Sequence, residues 1–344
     1  MTFLAAGDGP ETTEAIRAAF RSAFDRTPDV LGRAPGRVNL IGEHTDYNGG
    51  LALPFAIARG VTVRATALPG DWCMARADDL RETDDFSLRD PGATTGWRAF
   101  VRGTVAELRP ARAARIEVAG DVPRGGGLSS SAALGCALAL ALSDEDEPDR
   151  RRLARVASKV ENDWVGAQTG LLDQYASLLS EEGKALLIDF AADTVEPVPL
   201  DLGDWRLVVV RAGDPHDLSE GGYNDRRREC ADREDPKHAR RMRHVATENE
   251  RVRLAVEALR AGDVAALGPL LDASHASLRD DFEVSTAEVE RVVARLKVAG
   301  AAGVRLIGGG FGGHVLGLYE PGSRLPSGAL RVTPSRAAYI RNTP

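Results

Sequence analysis

Val122-Pro-Arg-Gly-Gly-Gly-Leu-Ser-Ser-Ser-Ala-Ala133 is the stretch on which the reading of this chain turns. A strand-like run, Arg115 to Val118, precedes it, and its serines open an Ala/Leu-rich helical pattern from Ser130 to Leu142. A glycine run between strand and helix aims free backbone N–H groups and the positive helix end at an anion, for which phosphate is the natural ligand. The bland alternative is a plain turn with serines as N-caps. The stretch lacks the lysine of the Gly-x-x-x-x-Gly-Lys-Ser/Thr loop and is no Gly-x-Gly-x-x-Gly with a later ribose-binding acid, so both common nucleotide-fold readings weaken.

Working outward, Gly32-Arg-Ala-Pro-Gly-Arg-Val-Asn-Leu-Ile-Gly-Glu-His-Thr-Asp-Tyr-Asn-Gly-Gly50 groups Arg37, Glu43, His44 and Asp46 around a short apolar strand. Such donors and acceptors suit the several hydroxyls of a sugar-like molecule, although charged loop residues are often merely solvated. Val304-Arg-Leu-Ile-Gly-Gly-Gly-Phe-Gly-Gly-His-Val-Leu-Gly-Leu-Tyr319 is a glycine-dense turn between two strands. It reads as a tight hairpin, or as a close approach of backbone to something else.

Strand-like runs at Leu51–Pro54, Gly60–Ala65, Ala185–Phe190 and Arg206–Arg211 alternate with helical patterns. Among the latter are Glu11–Ala23, Gly96–Glu107, Arg151–Val165, Leu171–Leu179, Val245–Arg260, Asp263–Leu278 and Ser285–Lys297. This predicts an α/β or α+β fold. A chain of 344 residues fits two lobes, and the linker-like Ala191–Asp204 puts their boundary near residue 200, giving lobes 1–200 and 201–344. The mixed-charge run Arg226–Arg243 reads as a solvated helix pair. A net charge of −7 argues against a nucleic-acid partner. The longest apolar stretch, Ala132–Leu142, is too short for a membrane helix. Three isolated cysteines and an N-terminus without a signal-peptide pattern suit a reducing cytoplasm.

The three glycine-rich and polar clusters together resemble the galactose, homoserine, mevalonate and phosphomevalonate kinases, and within them the galactokinase family. Gly36-Arg-Val-Asn-Leu-Ile-Gly-Glu-His-Thr-Asp-Tyr-Asn48 is similar to the galactokinase signature, Gly127–Ala133 to the phosphate loop, and Gly308–Gly313 to the third motif. Glu161-Asn-Asp-Trp-Val-Gly166, Gly170-Leu-Leu-Asp-Gln174, Tyr223-Asn-Asp-Arg-Arg227 and Ser274–Glu283 agree as well. The resemblance implies an α+β, two-lobed kinase fold with the active site in the cleft, and ATP-dependent transfer of the γ-phosphoryl to O1 of galactose. Asp173 and Arg37 are then catalytic, flanking the C1 hydroxyl. Glu43, His44, Asp46, Gly170 and Tyr223 contact the other hydroxyls. Pro123, Arg124, Gly125, Gly126, Gly127, Leu128, Ser129 and Ser130 wrap the phosphates, Trp97 and Phe100 lie near the adenine or simply pack within a helix, and Ser131 and Glu161 are the Mg²⁺ ligands. The family pattern also implies a monomeric enzyme whose partners are sugar and ATP. A related sugar 1-kinase acting on N-acetylgalactosamine or another monosaccharide stays open, as does a non-catalytic sensor of galactose and ATP. The segment after Tyr319, rich in Pro, Gly and Ser, departs from the pattern where the family has another helix, as do the short Cys230–His244 connection and Ser219–Asn224.

Overall fold

The computed structural model describes residues 28–342 apart from 124, 146 and 214–221. The helix expected at Glu11–Ala23, Arg124 and the first half of Ser219–Asn224 therefore lie outside the described residues.

β1 (Val30–Asn39) pairs antiparallel with the long β3 (Pro54–Leu68), and between them lie the signature loop and the short β2 (Leu51–Ala52). β4 (Trp72–Ala77) and β5 (Glu82–Ser87) form a hairpin beside β6 (Ala113–Gly120). With β13 (Tyr339–Asn342) these strands make a six-stranded sheet of order β13-β1-β3-β6-β4-β5, in which only β4 and β6 run parallel. One face is covered by α1 (Trp97–Leu108), α2 (Ser130–Ala141), α3 (Arg150–Lys159) and α4 (Leu172–Leu179), whose apolar residues share a core with the strands. α2 is apolar almost all round, as a helix buried between sheet and helices must be. It lies so close to β1 that a Cβ on Gly32 would come within 2.7 Å of the Ala137 carbonyl.

A three-stranded sheet follows from β2, β7 (Lys184–Asp189) and β8 (Thr194–Pro199). The stretch Ala191–Asp204 thus carries a strand paired along its length with β7 instead of running as an open linker, because Val195 packs on the first core from one face while Val198 is buried on the other. The remaining strands, β9 (Arg206–Arg211), β10 (Gly303–Ile307), β11 (His314–Tyr319) and β12 (Leu330–Val332), form an antiparallel sheet of order β10-β11-β9-β12. α5 (Gly222–Ala231), α6 (His238–Arg260), α7 (Leu267–Asp280) and α8 (Ala287–Val298) complete this half, with α7 and α8 packed on β10. A second core joins Val38, Leu40, Ile41 and Phe55 to Leu207, Val252, Leu271 and Leu316, so chain from both sides of residue 200 shares one interior. The Arg226–Arg243 stretch is not a solvated pair throughout. Arg241 is fully buried and bonds Glu229, Glu283 and the Asp281 carbonyl, so the opposed charges neutralise one another inside the fold.

Candidate active site

The chain leaves the sheet at Gly120, and the glycine run from Gly125 enters α2 at Ser130, with Gly127 (φ 74°) and Ser129 (φ 57°) both in the left-handed region. Glycine adopts that backbone freely, whereas at Ser129 it costs strain of the sort that collects at functional sites. The third motif lies directly against this loop. A Cβ on Gly127 would stand 2.7 Å from the Ile307 carbonyl, and one on Gly308 would stand 2.8 Å from the Gly127 Cα. The His314 ring fills the space beside Gly126, with Nδ1 2.5 Å from the Gly126 carbonyl. Backbone packs on backbone here, which accounts for both glycine runs.

These two loops wall a cleft of about 560 Å³. Gly125, Gly126, Gly127, Ser129, Ser130, Ser131, Glu161, Arg37 and Asp173 line its polar end, and Trp97, Phe100, Val61 and Leu134 its apolar end. Trp97 donates its Nε1–H to Glu82 at 2.7 Å, which fixes the indole. Pro123 is not among the lining residues, and Leu128 turns its side chain into the second core while its carbonyl accepts the Arg37 N–H at 3.2 Å. Leu128 therefore meets the loop through its backbone.

Glu161 sits in a π-helical turn, Val160–Val165, that continues α3. Such turns re-aim side chains and recur at functional sites. Its buried carboxylate accepts from Gln174 at 2.7 Å and Thr169 at 3.3 Å and is bonded by the Ser131 hydroxyl. All three partners are neutral. Burial, with the charge of Asp173 nearby, raises its pKa from 4.5 to about 7, against the lowering effect of the Ser131 hydroxyl.

A bulge between Pro35 and Arg37 aims Arg37 into the cleft, and Gly36 is required there because a Cβ would meet the Leu128 carbonyl at 2.5 Å. The Arg37 guanidinium bonds Asp173 Oδ1 at 2.5 Å and the Gly127 carbonyl at 2.5 Å. The Ser129 hydroxyl donates to the other oxygen of Asp173. Loop, guanidinium and carboxylate are one connected unit.

On the far side of that unit a smaller polar pocket is lined by Arg37, Glu43, His44, Asp46, Thr169, Gly170, Asp173, Tyr223, Gly308 and Gly309. Arg37, Asp173, Gly308 and Gly309 belong to both cavities. Gly170 leaves room for Asp46, whose Oδ2 would be 2.1 Å from an added Cβ. Burial, with the nearby charges of Asp173 and Glu43, pushes Asp46 from 3.8 up to about 7. His44, at φ 59°, bonds Tyr47 through Nδ1 at 2.8 Å and packs against Tyr223 and Phe282. Burial holds it neutral, with a pKa of about 3. Glu43 is raised by burial, against the attraction of Arg305 and Arg37, and accepts the Gly308 N–H at 2.8 Å.

Several residues that shape the site escaped the sequence reading. Gln174 and Thr169 bond Glu161, while Arg305, fully buried, donates to the carbonyls of Asn39 and Leu40 and pairs with Glu43. The available signal was a charged residue inside the apolar strand Val304–Ile307, which requires a buried partner.

Comparison with known proteins agrees with this geometry. The galactokinase galactose-binding signature matches residues 18–67, the GHMP kinases N terminal domain residues 98–181, and the GHMP kinases C terminal domain residues 255–332. A galactokinase of Haemophilus influenzae is 38% identical over 87% of this chain and 87% of its own length. One of Mycobacterium tuberculosis is 41% identical over 83% and 87% respectively. The chain belongs to the galactokinase family. Among solved structures, Lactococcus lactis galactokinase complexed with galactose superposes with a TM-score of 0.84 at 29% identity, covering 95% of this chain and 99% of that one. Methanococcus jannaschii mevalonate kinase, at 18% identity and a TM-score of 0.67 over 89% and 98%, shares the fold. This family member has the two-lobed kinase fold expected from its motifs and is an ATP-dependent kinase. No helix among the described residues is long and apolar enough to cross a membrane.

Proposed function

We propose that this galactokinase-family chain transfers the γ-phosphoryl group of MgATP to O1 of D-galactose. The observation that carries the reading is the Arg37–Asp173 pair, which is common to the glycine-walled cleft and to the polar pocket. A phosphoryl group in the one and a hydroxyl in the other would meet there. The loop amides from Gly125 to Ser130 and the α2 N-terminus hold the phosphates, with Trp97 and Phe100 beside the base. Glu43, His44, Asp46 and Tyr223 bond the sugar hydroxyls, with Gly170 leaving the space for Asp46. Arg37 neutralises charge that spreads over the transferring group, and Asp173 orients the C1 hydroxyl and accepts its proton.

Ser131 and Glu161 are the residues that would hold Mg²⁺. A hydroxyl and a carboxylate are hard oxygen donors, and a carboxylate buried among neutral partners is the place where an added cation relieves most. When bound, the ion neutralises phosphate charge and fixes phosphate geometry.

ADP release measured against a panel of sugars tests the assignment. Galactose-dependent ADP formation with a C1-phosphorylated product is expected. Turnover of N-acetylgalactosamine or another monosaccharide in its place would make this a related sugar 1-kinase, and sugar and ATP binding without any turnover would make it a sensor.

A further inference from the structure

The sugar-side loop Gly42–Leu51 carries Glu43, His44 and Asp46, and although the Glu43 side chain ties it to Gly308 and Arg305, its backbone has a further support. That support comes from below, from α6, about 200 residues away in the chain, as the separations of the bonded pairs state: 206, 201 and 198. Glu248 Oε1 accepts the Gly42 N–H at 2.9 Å and the Ser274 hydroxyl at 2.7 Å, while its other oxygen accepts from Arg251 at 2.7 Å. His244 Nε2 lies 3.1 Å from the Glu43 carbonyl, which requires the Nε2–H tautomer. One turn further on, Asn249 Oδ1 accepts the Leu51 N–H at 2.7 Å. His244 and Glu248, four residues apart, share one face of the helix and Asn249 stands at its flank, so a single rigid element grips the loop at both ends. The fit is close, since a Cβ on Gly50 would stand 2.6 Å from Asn249 Oδ1. Between the grips the loop is closed on itself by Thr45, whose hydroxyl reaches the carbonyls of Gly42 and Leu51.

We infer that Glu248 and Asn249, with His244, are positioning residues for the sugar pocket, setting sugar affinity without touching sugar and without serving the nucleotide. None of the three lines either cavity. What they hold is backbone, and the backbone between their contact points bears the three side chains offered to the hydroxyls. A loop displaced by a fraction of an ångström misaligns several hydroxyl contacts at once, whereas the phosphate loop, anchored on β6 and the third motif, stays where it is. This inference rests on the sugar-kinase reading above.

Asn249 supplies the clean test, because it is only half-buried and its loss removes one acceptor from a helix that remains intact. In Asn249→Ala the KM for galactose should rise about fivefold, the equivalent of one net hydrogen bond, with the KM for MgATP unchanged and the melting temperature lowered by no more than about 2 °C. Asn249→Asp keeps an acceptor at the same atom and should restore the galactose KM to within about twofold of wild type. Glu248→Gln, which keeps the acceptor for Gly42 and disturbs Arg251, should give a smaller rise than Glu248→Ala. An unchanged galactose KM in Asn249→Ala overturns the inference, as does a parallel rise in both KM values with a larger fall in melting temperature, the mark of a purely structural role. If the wild-type chain turns over a different sugar, the activity assignment fails while the same KM comparison, made with that sugar, still decides this one.

Discussion

Asp173 has both carboxylate oxygens engaged, one by Arg37 at 2.5 Å and the other by Ser129. Engagement by two donors makes it well held, and a well-held carboxylate can act by proton transfer or by orientation alone. Asp173→Asn separates the two, because an amide still bonds a hydroxyl but cannot accept its proton. We expect turnover to fall by about 10²- to 10⁴-fold, with galactose affinity and melting temperature retained. A loss well below that range assigns Asp173 to positioning, consistent with a loose phosphoryl transition state that does not need early deprotonation. Wild-type turnover would remove it from the reaction altogether. Glu161 makes a second prediction. Its folded pKa, about 7, lies above the 4.5 of an exposed carboxyl, so the folded state holds the proton longer than the unfolded one. The sign follows: stability is greatest below the lower value, falls as pH rises between the two, and levels off above about 7. Asp46, raised from 3.8 to about 7, adds in the same direction. If Ser131 and Glu161 hold the divalent cation as proposed, its charge lowers the Glu161 pKa, so MgATP binding near neutral pH should release a fraction of a proton. Calorimetry in buffers of different ionisation enthalpy measures this, and Glu161→Gln should abolish the release; an undiminished release in that variant means the proton comes from elsewhere.

At the level of elements, the same glycine runs that gave the chain away in sequence turn out to be one structure. Gly308 at φ 80° touches the Gly127 backbone, so Gly308→Ala combines a left-handed alanine, costing roughly 1–3 kcal/mol, with a contact of 2.8 Å against backbone that cannot move aside. The phosphate loop should shift, raising the KM for MgATP more than that for galactose and lowering the melting temperature; kinetics matching wild type would mean the two loops are not mechanically joined. Most helices were legible, since apolar residues recur at helical spacing from Trp97 to Leu108 and from Ala287 to Val298. Two of the strands that were missed share a cause. β1 contains Gly32, Pro35 and Gly36, the last in a bulge beside Arg37, and β8 contains two prolines, so turn-forming residues masked extended backbone. β5, with three acids and a threonine in six residues, has too little apolar character to announce itself. The start of α6 was missed for the opposite reason, because its buried Arg241 and His244 look like surface residues until their partners on α5 and α7 are known. Motif resemblance reached the cavity-lining residues but not those that hold them, as a supporting bond between residues some 200 positions apart leaves no local pattern.

For the whole molecule the informative region is the segment that follows Tyr319. After Tyr319 the chain contributes β12 to the edge of the four-stranded sheet and then crosses to the six-stranded sheet, where β13 pairs with β1. On the way Ser335 N–H bonds the Ala56 carbonyl at 2.8 Å, Ala337 N–H bonds Ser180 at 3.1 Å, and Ala338 N–H bonds Ser177 at 2.8 Å. Arg150 donates to the Ala338 carbonyl at 2.7 Å, and Ala338 itself is buried in the first core. This Pro-, Gly- and Ser-rich segment thus ties both large sheets together through its bonds. β1 is the strand that ends at the signature loop, and its bulge carries Arg37, so support at its outer edge reaches the reacting end of the site through the strand itself. A chain stopped after Pro334 loses these bonds together with an edge strand. At the usual net worth of a hydrogen bond the loss is at least about 2 kcal/mol, and the melting temperature should drop by several degrees. Because β1 serves sugar pocket and phosphate cleft alike, the KM values for galactose and MgATP should rise together, in contrast to the one-sided changes expected from Gly308→Ala. A shortened chain with unaltered melting temperature and kinetics would show that β13 merely decorates the sheet.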